Sequence, residues 1–235
     1  MEKITYKSLL PIYSVVIVAF LLLAIGGSNA VTAWSATAPI TGRKTMVIDA
    51  GHGGIDGGAT SYTGVLESQI NLEIALKLND LMHLLGIQTY MIRETDRSVY
   101  TQGETISQKK ISDLRERVRM VNNIDDCVLI SIHQNHFSDS RYNGAQVFYS
   151  ATDGSRDLSS KLQENFKNTL NPGSKRQIKK ANSIYLMQHI NCPGALIECG
   201  FLSNPEEESL LRTPAYQQKL CSVIACTLSN WLWGT

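Results

Sequence analysis

Four residues in this sequence have side chains suited to hydrolytic chemistry, and one of them, Glu198 on an apolar strand, is hard to explain structurally. His52 lies in Asp49-Ala50-Gly51-His52-Gly53-Gly54, directly after the apolar run Met46-Val47-Ile48. Glycines there let the backbone turn tightly and approach another group closely. His133 ends the apolar run Val128-Leu129-Ile130-Ser131-Ile132, and Glu198 follows Ala195-Leu196-Ile197. Glu67 stands at the start of a helical pattern. Two histidines and one carboxylate, with a fourth position open to water, make a catalytic zinc set. Zinc needs neutral imidazole and ionised carboxylate, and it makes hydroxide available near neutral pH. On that reading His52, Glu67 and His133 are the ligands. Glu198 is the base, which passes a proton to a leaving amine. The spacing is long-range, unlike H-E-x-x-H, so residue types alone leave the assignment open.

The elements that must bring these residues together follow from periodicity. Strands are expected at Thr45–Ala50, Ile87–Ile92, Val128–His133, Gly144–Ser150, Ser183–Met187 and Ala195–Cys199. Helices are expected at Ser68–Leu85, with Ile70, Ile74, Leu78, Leu81 and Leu85 at helical spacing, and at Ser112–Asn123, Asp157–Leu170 and Pro214–Trp233. Helices between strands imply crossover connections. The expected fold is therefore a single three-layer α/β/α domain with a mostly parallel, mixed central sheet. In such a sheet ligands sit at the carboxyl ends of the strands. His52, Glu67, His133 and Glu198 fall on that one rim.

The chain of 235 residues carries 22 basic against 21 acidic residues, so no overall field points to nucleic acid. Its 43% hydrophobic content suffices for a real core. The basic groups Lys109-Lys110 and Lys175-Arg176 with Lys179-Lys180 read as solvated surface. Lys3 and Lys7 precede an uncharged stretch at 9–25, which suits a signal-peptide core or single membrane anchor with the N-terminus inside. Residues 1–42 are thus expected to be an export or anchor segment and stem, and 43–235 the catalytic domain, working outside the cytoplasm. The five cysteines form no C-x-x-C pair; Cys127 and Cys199 read as buried apolar residues.

The other polar candidates have plainer readings. His83 and His189 are expected to be structural, and His136 to face solvent or lie just outside the site. Asp49 is expected to hold a ring nitrogen of a ligand histidine or to cap the glycine turn, and Asp56 to be a turn residue only. Arg93, Asp96 and Arg115 or Arg117 are expected in structural ion pairs. Cys199 should face away from Glu198, because side chains alternate along a strand.

Five separated motifs, DAGHGGIDGG, ESQINLEIA, IRETD, SIHQN and IECGFLSNPEE, occur in this order. Together they resemble the zinc-dependent N-acetylmuramoyl-L-alanine amidases of the amidase-3 group over roughly residues 45–233. The resemblance implies zinc on His52, Glu67 and His133, Glu198 as the catalytic carboxylate, and a mixed sheet flanked by helices. It also implies hydrolysis of the amide between N-acetylmuramic acid and L-alanine in peptidoglycan. Gln134 and Asn135 stand where Ala commonly follows the second histidine, and Met187-Gln188-His189 and Cys192-Pro193-Gly194 also depart from the family pattern. These departures are expected to tune the substrate groove. Val99–Ser112 is too short for the helical plug of some Gram-negative relatives. With no wall-binding module expected, the chain resembles the germination-specific branch of spore formers, which prepares cortex for muramic-δ-lactam formation. An accessory protein for activation or localisation is an expected partner. The rival readings are a zinc peptidoglycan carboxypeptidase or deacetylase, and a non-catalytic peptidoglycan-binding module.

Overall fold

The computed structural model describes residues 44–234. The apolar stretch at 9–25 and the proposed stem lie outside the described residues. Among the described residues no helix is long and apolar enough to cross a membrane.

The first strand, β1 (Thr45–Ala50), is buried on both faces and runs parallel to β2 (Thr89–Met91) and β3 (Cys127–Asn135). β3 in turn pairs in parallel with β6 (Gly194–Phe201). Beyond β6 the direction reverses: β4 (Gln146–Tyr149) is antiparallel to it, and β5 (Lys179–Lys180) closes the edge parallel to β4. The order is β2-β1-β3-β6-β4-β5, a mixed, mostly parallel sheet.

Helices cover both faces. On one lie α1 (Glu67–Leu84), α3 (Ser155–Thr169) and α6 (Pro214–Trp233), which bury Ile70, Ile74, Leu78, Leu162, Phe166 and Ile224 against Ile48, Ile130 and Ile197. On the other lie α2 (Ile106–Asn122) and the short α4 (Tyr185–His189), over Val47, Leu129 and Leu196. The remaining helix, α5 (Pro205–Leu211), follows β6 and is capped by the Asn204 side chain. Parallel strands carried between two helical layers explain the apolar runs, because neither face of such a strand meets water.

Three expectations need correction. Ser183–Met187 is not a strand: residues 185–189 coil into α4, and the edge strand is the two-residue β5 upstream. A short apolar run has no length over which a period of 2 can be told from 3.6. The charged helix begins earlier than expected, at Ile106, where Thr105 and Gln108 form a reciprocal capping box. Leu85 lies past the end of α1 and is exposed, while Met82 takes the buried position.

Two arginines are buried at the carboxyl end of β1. Arg93 is fully enclosed and donates to the carbonyls of Ala50 (2.8 Å), Gly51 (3.0 Å), Ser68 (2.8 Å) and Thr95 (3.1 Å). It therefore braces backbone rather than forming the expected ion pair. Arg117, on α2, pairs with Asp49 and with Asp113 (2.6 Å) and donates to the carbonyls of Ala50 (3.1 Å) and His52 (2.6 Å). Asp49 also accepts from Ser131 Oγ at 2.6 Å, so its carboxylate steadies Arg117 and β3 instead of a histidine ring. Burial would raise the Asp49 pKa, but Arg117 beside it leads the interactions that hold it below the ordinary value. Removing one partner of a buried pair strands the other charge. Arg117→Met should therefore lower unfolding stability by about 3–5 kcal/mol, read from urea denaturation. A loss below about 1 kcal/mol would mean that the pair does not anchor the loop.

Candidate metal centre

The loop after β1 gives His52 its position through unusual backbone. His52 itself has φ 60, Gly53 φ 131 and Gly54 φ 58. Positive φ is uncommon for a residue with a Cβ, and here the Arg117–carbonyl bond holds it. Glycine is required around the site for space as well. A Cβ on Gly51 would come within 2.3 Å of the His133 ring, and one on Gly58 within 2.6 Å of Glu67 Oε2 and 2.8 Å of His52.

His52, Glu67 and His133 meet although they come from a loop, a helix start and a strand end. Their potential donor atoms all lie within 4.8 Å of one another. His52 Nε2 stands 3.3 Å from Glu67 Oε2, and His133 Nδ1 stands 2.9 Å from Glu67 Oε1. The ring centroids are 5.0 Å apart. Donors on a tetrahedral zinc are spaced by about 3.4 Å, given bonds of about 2.0–2.2 Å. The two nitrogens and the carboxylate are of the right type and nearly at that spacing, so the residues fit the metal.

Neighbouring groups fix each of the three. The Glu67 carboxylate accepts from the backbone N–H of Ala59 (2.9 Å) and Gln134 (3.1 Å) and from Asn71 Nδ2 (3.2 Å). Burial would raise its pKa, but hydrogen bonds to His133 and His52 lower it well below the usual carboxylate range. His52 Nδ1 is held by Asp56 Oδ2 at 2.9 Å, and Asp56 Oδ1 takes Lys110 Nζ at 2.7 Å. Asp56 is thus more than the turn residue expected. Burial disfavours the charged imidazole of His52, but the bonds to Asp56 and Glu67 outweigh it and raise its pKa to about 9. The His52 bond leads the interactions that keep Asp56 below the carboxylate range. A metal-bound histidine commonly has its second nitrogen held by a carboxylate, which sets tautomer and ring orientation.

Glu198 is the register partner of His133 in the neighbouring strand, so both rise from one face of the sheet. Its Oε2 is shielded from solvent and has no hydrogen-bond partner. Desolvation pushes its pKa up to about 7, against the lowering influence of His133 and His52. His52, His133 and Glu198 line a cavity of about 260 Å³ together with Arg117, Leu114 and Leu186. Three of the four expected residues therefore line one cavity, and Glu67 lies behind it, in contact with both histidines. Cys199 is fully buried in the opposite layer, as alternation requires.

The plainer readings fare unevenly. His136 is exposed, and His189 stacks on Tyr185 in α4 with ring centroids 4.0 Å apart. His83 bonds Thr89 at 2.6 Å, away from the cavity. Asp96 accepts from Gly54 N at 2.9 Å. Gln134 does not face the groove: it is buried, and its Nε2 donates to Asn71 Oδ1 at 3.2 Å, bracing the residue that holds Glu67. Asp56 was missed because one Asp among glycines carries the same signal as any turn.

Residues 46–230 match the Amidase_3 family, N-acetylmuramoyl-L-alanine amidase. The chain is 38% identical over 192 residues to the germination-specific N-acetylmuramoyl-L-alanine amidase of Bacillus subtilis, covering 79% of this chain and 78% of that one. Among solved structures, the CwlD amidase from Clostridioides difficile, in complex with the GerS lipoprotein, superposes with a TM-score of 0.77 at 38% identity. That match covers 82% of this chain and 100% of that chain. An N-acetylmuramoyl-L-alanine amidase from Clostridium difficile 630 gives 0.72 at 30% identity, covering 83% and 100%.

If Asp56 orients His52 toward a metal, Asp56→Asn should weaken zinc affinity about 10- to 100-fold while leaving the fold intact. Competition with a chromophoric chelator measures this. An unchanged affinity would assign Asp56 to the turn alone.

Proposed function

The chain belongs to the N-acetylmuramoyl-L-alanine amidase family and is a hydrolytic amidase; on that premise we propose that His52, Glu67 and His133 hold one zinc ion and that Glu198 is its proton-transferring partner. The observation that carries the reading is the orphaned Glu198 Oε2 beside a preassembled donor set. Zinc held there supplies a Lewis acid, which polarises the scissile carbonyl and acidifies water at the site.

The rest of the reaction falls to the chain's own groups. Glu198 Oε2 takes the proton from the attacking water and delivers it to the departing nitrogen of L-alanine. Its pKa near 7 suits both halves of that transfer, because a group that must accept and then donate works best near the operating pH. Glu67 stays ionised through its three N–H donors, and Asp56 keeps the His52 proton on Nδ1 so that Nε2 faces inward. Arg117 holds the His52 carbonyl and so the ring's height above the sheet. The bond broken is the amide between the lactyl carbonyl of N-acetylmuramic acid and the nitrogen of L-alanine.

Further assignments rest on the relatives. The likeness to a germination-specific amidase supports action on spore-cortex peptidoglycan, ahead of muramic-δ-lactam formation. The solved relative in complex with a lipoprotein supports an accessory protein as partner. Residues 1–42 are assigned to export or anchoring, with the domain from residue 43 acting outside the cytoplasm.

Peptidoglycan digested by the full chain, with and without zinc, and analysed by mass spectrometry tests this directly. Intact stem peptides and peptide-free glycan should appear only with metal; trimmed stem peptides or deacetylated sugars would select the carboxypeptidase or deacetylase reading. Glu198→Gln should lower kcat by about 10²- to 10⁴-fold with zinc content unchanged. Retained turnover would remove Glu198 from the proton transfer.

A further inference from the structure

Across β4 from Glu198 lies a second, larger cleft of about 620 Å³. Gln146, in its lining, is the register partner of Glu198 on the antiparallel strand. Their Cα positions are one strand apart, or ~4.8 Å, and the Gln146 amide turns toward the edge of the sheet, donating to the Gln177 carbonyl at 2.7 Å and to Gln163 Oε1 at 3.3 Å. Around Gln146 stand Tyr142, Lys175, Arg176 and Lys179.

Of these cations Arg176 is half-buried and held in place, while Lys175 and Lys179 are exposed at the rim. The Arg176 guanidinium lies 4.6 Å from the centroid of the Phe201 ring, and its Nε donates to the Asn143 carbonyl at 2.9 Å. Phe201 reaches that position through a bulge: His133 pairs with Glu198, but two residues later Asn135 pairs with Phe201. The extra residue brings Phe201 onto the face that carries Glu198. Lys179 sits 5.9 Å over the Phe148 ring. Lys175, Arg176 and Lys179 have no ion-pair partner among the described residues. Arg141 at the rim is matched by Asp139 at 2.7 Å. The buried acid Glu207 accepts from the N–H groups of Gly144 (2.8 Å) and Phe201 (2.7 Å); it acts on Arg176 through space, with no ion-pair contact between them. The cleft is thus a positive pocket with an aromatic wall, beside the amidase centre.

We propose that this cleft binds a carboxylate of the stem peptide on the amine side of the scissile bond, with Arg176 as its principal contact. The proposal rests on cleavage taking place at Glu198. The chemistry selects the peptide over the glycan: the lactyl carboxyl is consumed in the amide, whereas stem peptides carry free carboxylates from the second residue onward. The reach also agrees. Two peptide residues span at most ~7 Å, and β4 and β5 stand ~5 and ~10 Å from β6. An arginine held on an aromatic face presents its remaining N–H groups as a fork for a carboxylate. The glycan strand then leaves on the opposite side, and the cleft fixes the direction in which substrate crosses the sheet.

Two probes test this with the zinc-loaded full chain: an N-acetylmuramoyl-L-alanyl-D-glutamyl peptide and its carboxamide. The acid should be hydrolysed with a kcat/KM about tenfold higher, the worth of one charge-assisted contact, expressed in KM. Arg176→Gln should bring the two probes together, and Lys179→Gln should narrow the gap by less. Equal turnover of both probes by the unaltered chain, or discrimination that survives in Arg176→Gln, overturns the proposal. Calorimetric binding of the free L-alanyl-D-glutamyl peptide and its amide supplies a readout without turnover. If Glu198→Gln remained active, the site assignment would fail, while tighter binding of the acid peptide, lost in Arg176→Gln, would still uphold the cleft.

Discussion

The structure depends on how three consecutive carbonyls at the carboxyl end of β1 are satisfied. The chain leaves the sheet there in a conformation that no regular element shares, so Ala50, Gly51 and His52 have no ladder partners for all of their acceptors. Two guanidinium groups supply the donors: Arg93 to Ala50 and Gly51, Arg117 to Ala50 and His52. Both are taken out of water to do so, and buried charge is costly without compensation. Asp49 supplies the compensating charge for Arg117. Burial and the nearby Arg117 bring Arg93 down to about 10, which leaves it charged at neutral pH. Asp49, together with Asp113 on the other side of Arg117, thus allows a pair of like charges to share one small volume.

This bracing explains the glycines better than flexibility does. A Cβ on Gly53 would meet Arg93 Nε at 2.8 Å and the Arg97 carbonyl at 2.5 Å, so the residue is small because an arginine passes beneath it. With the loop pinned from below, His52 tolerates a positive φ and its ring faces Glu67. The remaining ring nitrogen is then available to Asp56, which lies four residues on and is itself tied to α2 through Lys110. α2 therefore holds the loop twice, through Arg117 to the backbone and through Lys110 to the acid behind the ring. Rigidity of this kind is what a metal site needs if it is to exist before the metal arrives.

Much of this was legible in the sequence. The placement of His52, His133 and Glu198 was readable because each is a polar residue that follows or ends an apolar strand, and that of Glu67 because it opens the helix after the first loop, all on the rim where the fold class puts ligands. The strands β1, β3 and β6 and the helix α1 follow from patterns long enough to have a period. The arginines were legible only as charged residues. Arg117 sits on a helix rich in charge, so the sequence pointed to a structural ion pair and gave no sign of the backbone carbonyls of Ala50 and His52 that it also holds. Arg93 read as an ion-pair residue for the same reason, yet its partners are all carbonyls. Backbone acceptors leave no trace in a sequence, because every residue has one. The same limit hid Gln134: a polar residue beside a ligand histidine suggests substrate, and only the packing of α1 shows that it faces Asn71.

The reversal of strand direction at β4 explains why the two halves of the site differ. On the β1 and β3 side every strand is parallel, so their carboxyl-end loops crowd the rim and α2 closes the cavity over His52. Antiparallel β4 instead brings its amino end beside Glu198. The segment bordering the centre there is the loop that precedes the strand, and it carries Phe137 and Tyr142 with ring centroids 4.9 Å apart. The two-residue β5 leaves that edge uncrowded. Glu198 therefore stands at a boundary, with the donor set enclosed on one side and an open basic cleft on the other. A group in that position can be desolvated enough to have a pKa near 7 and still be reached by a polymer too large to enter any closed pocket.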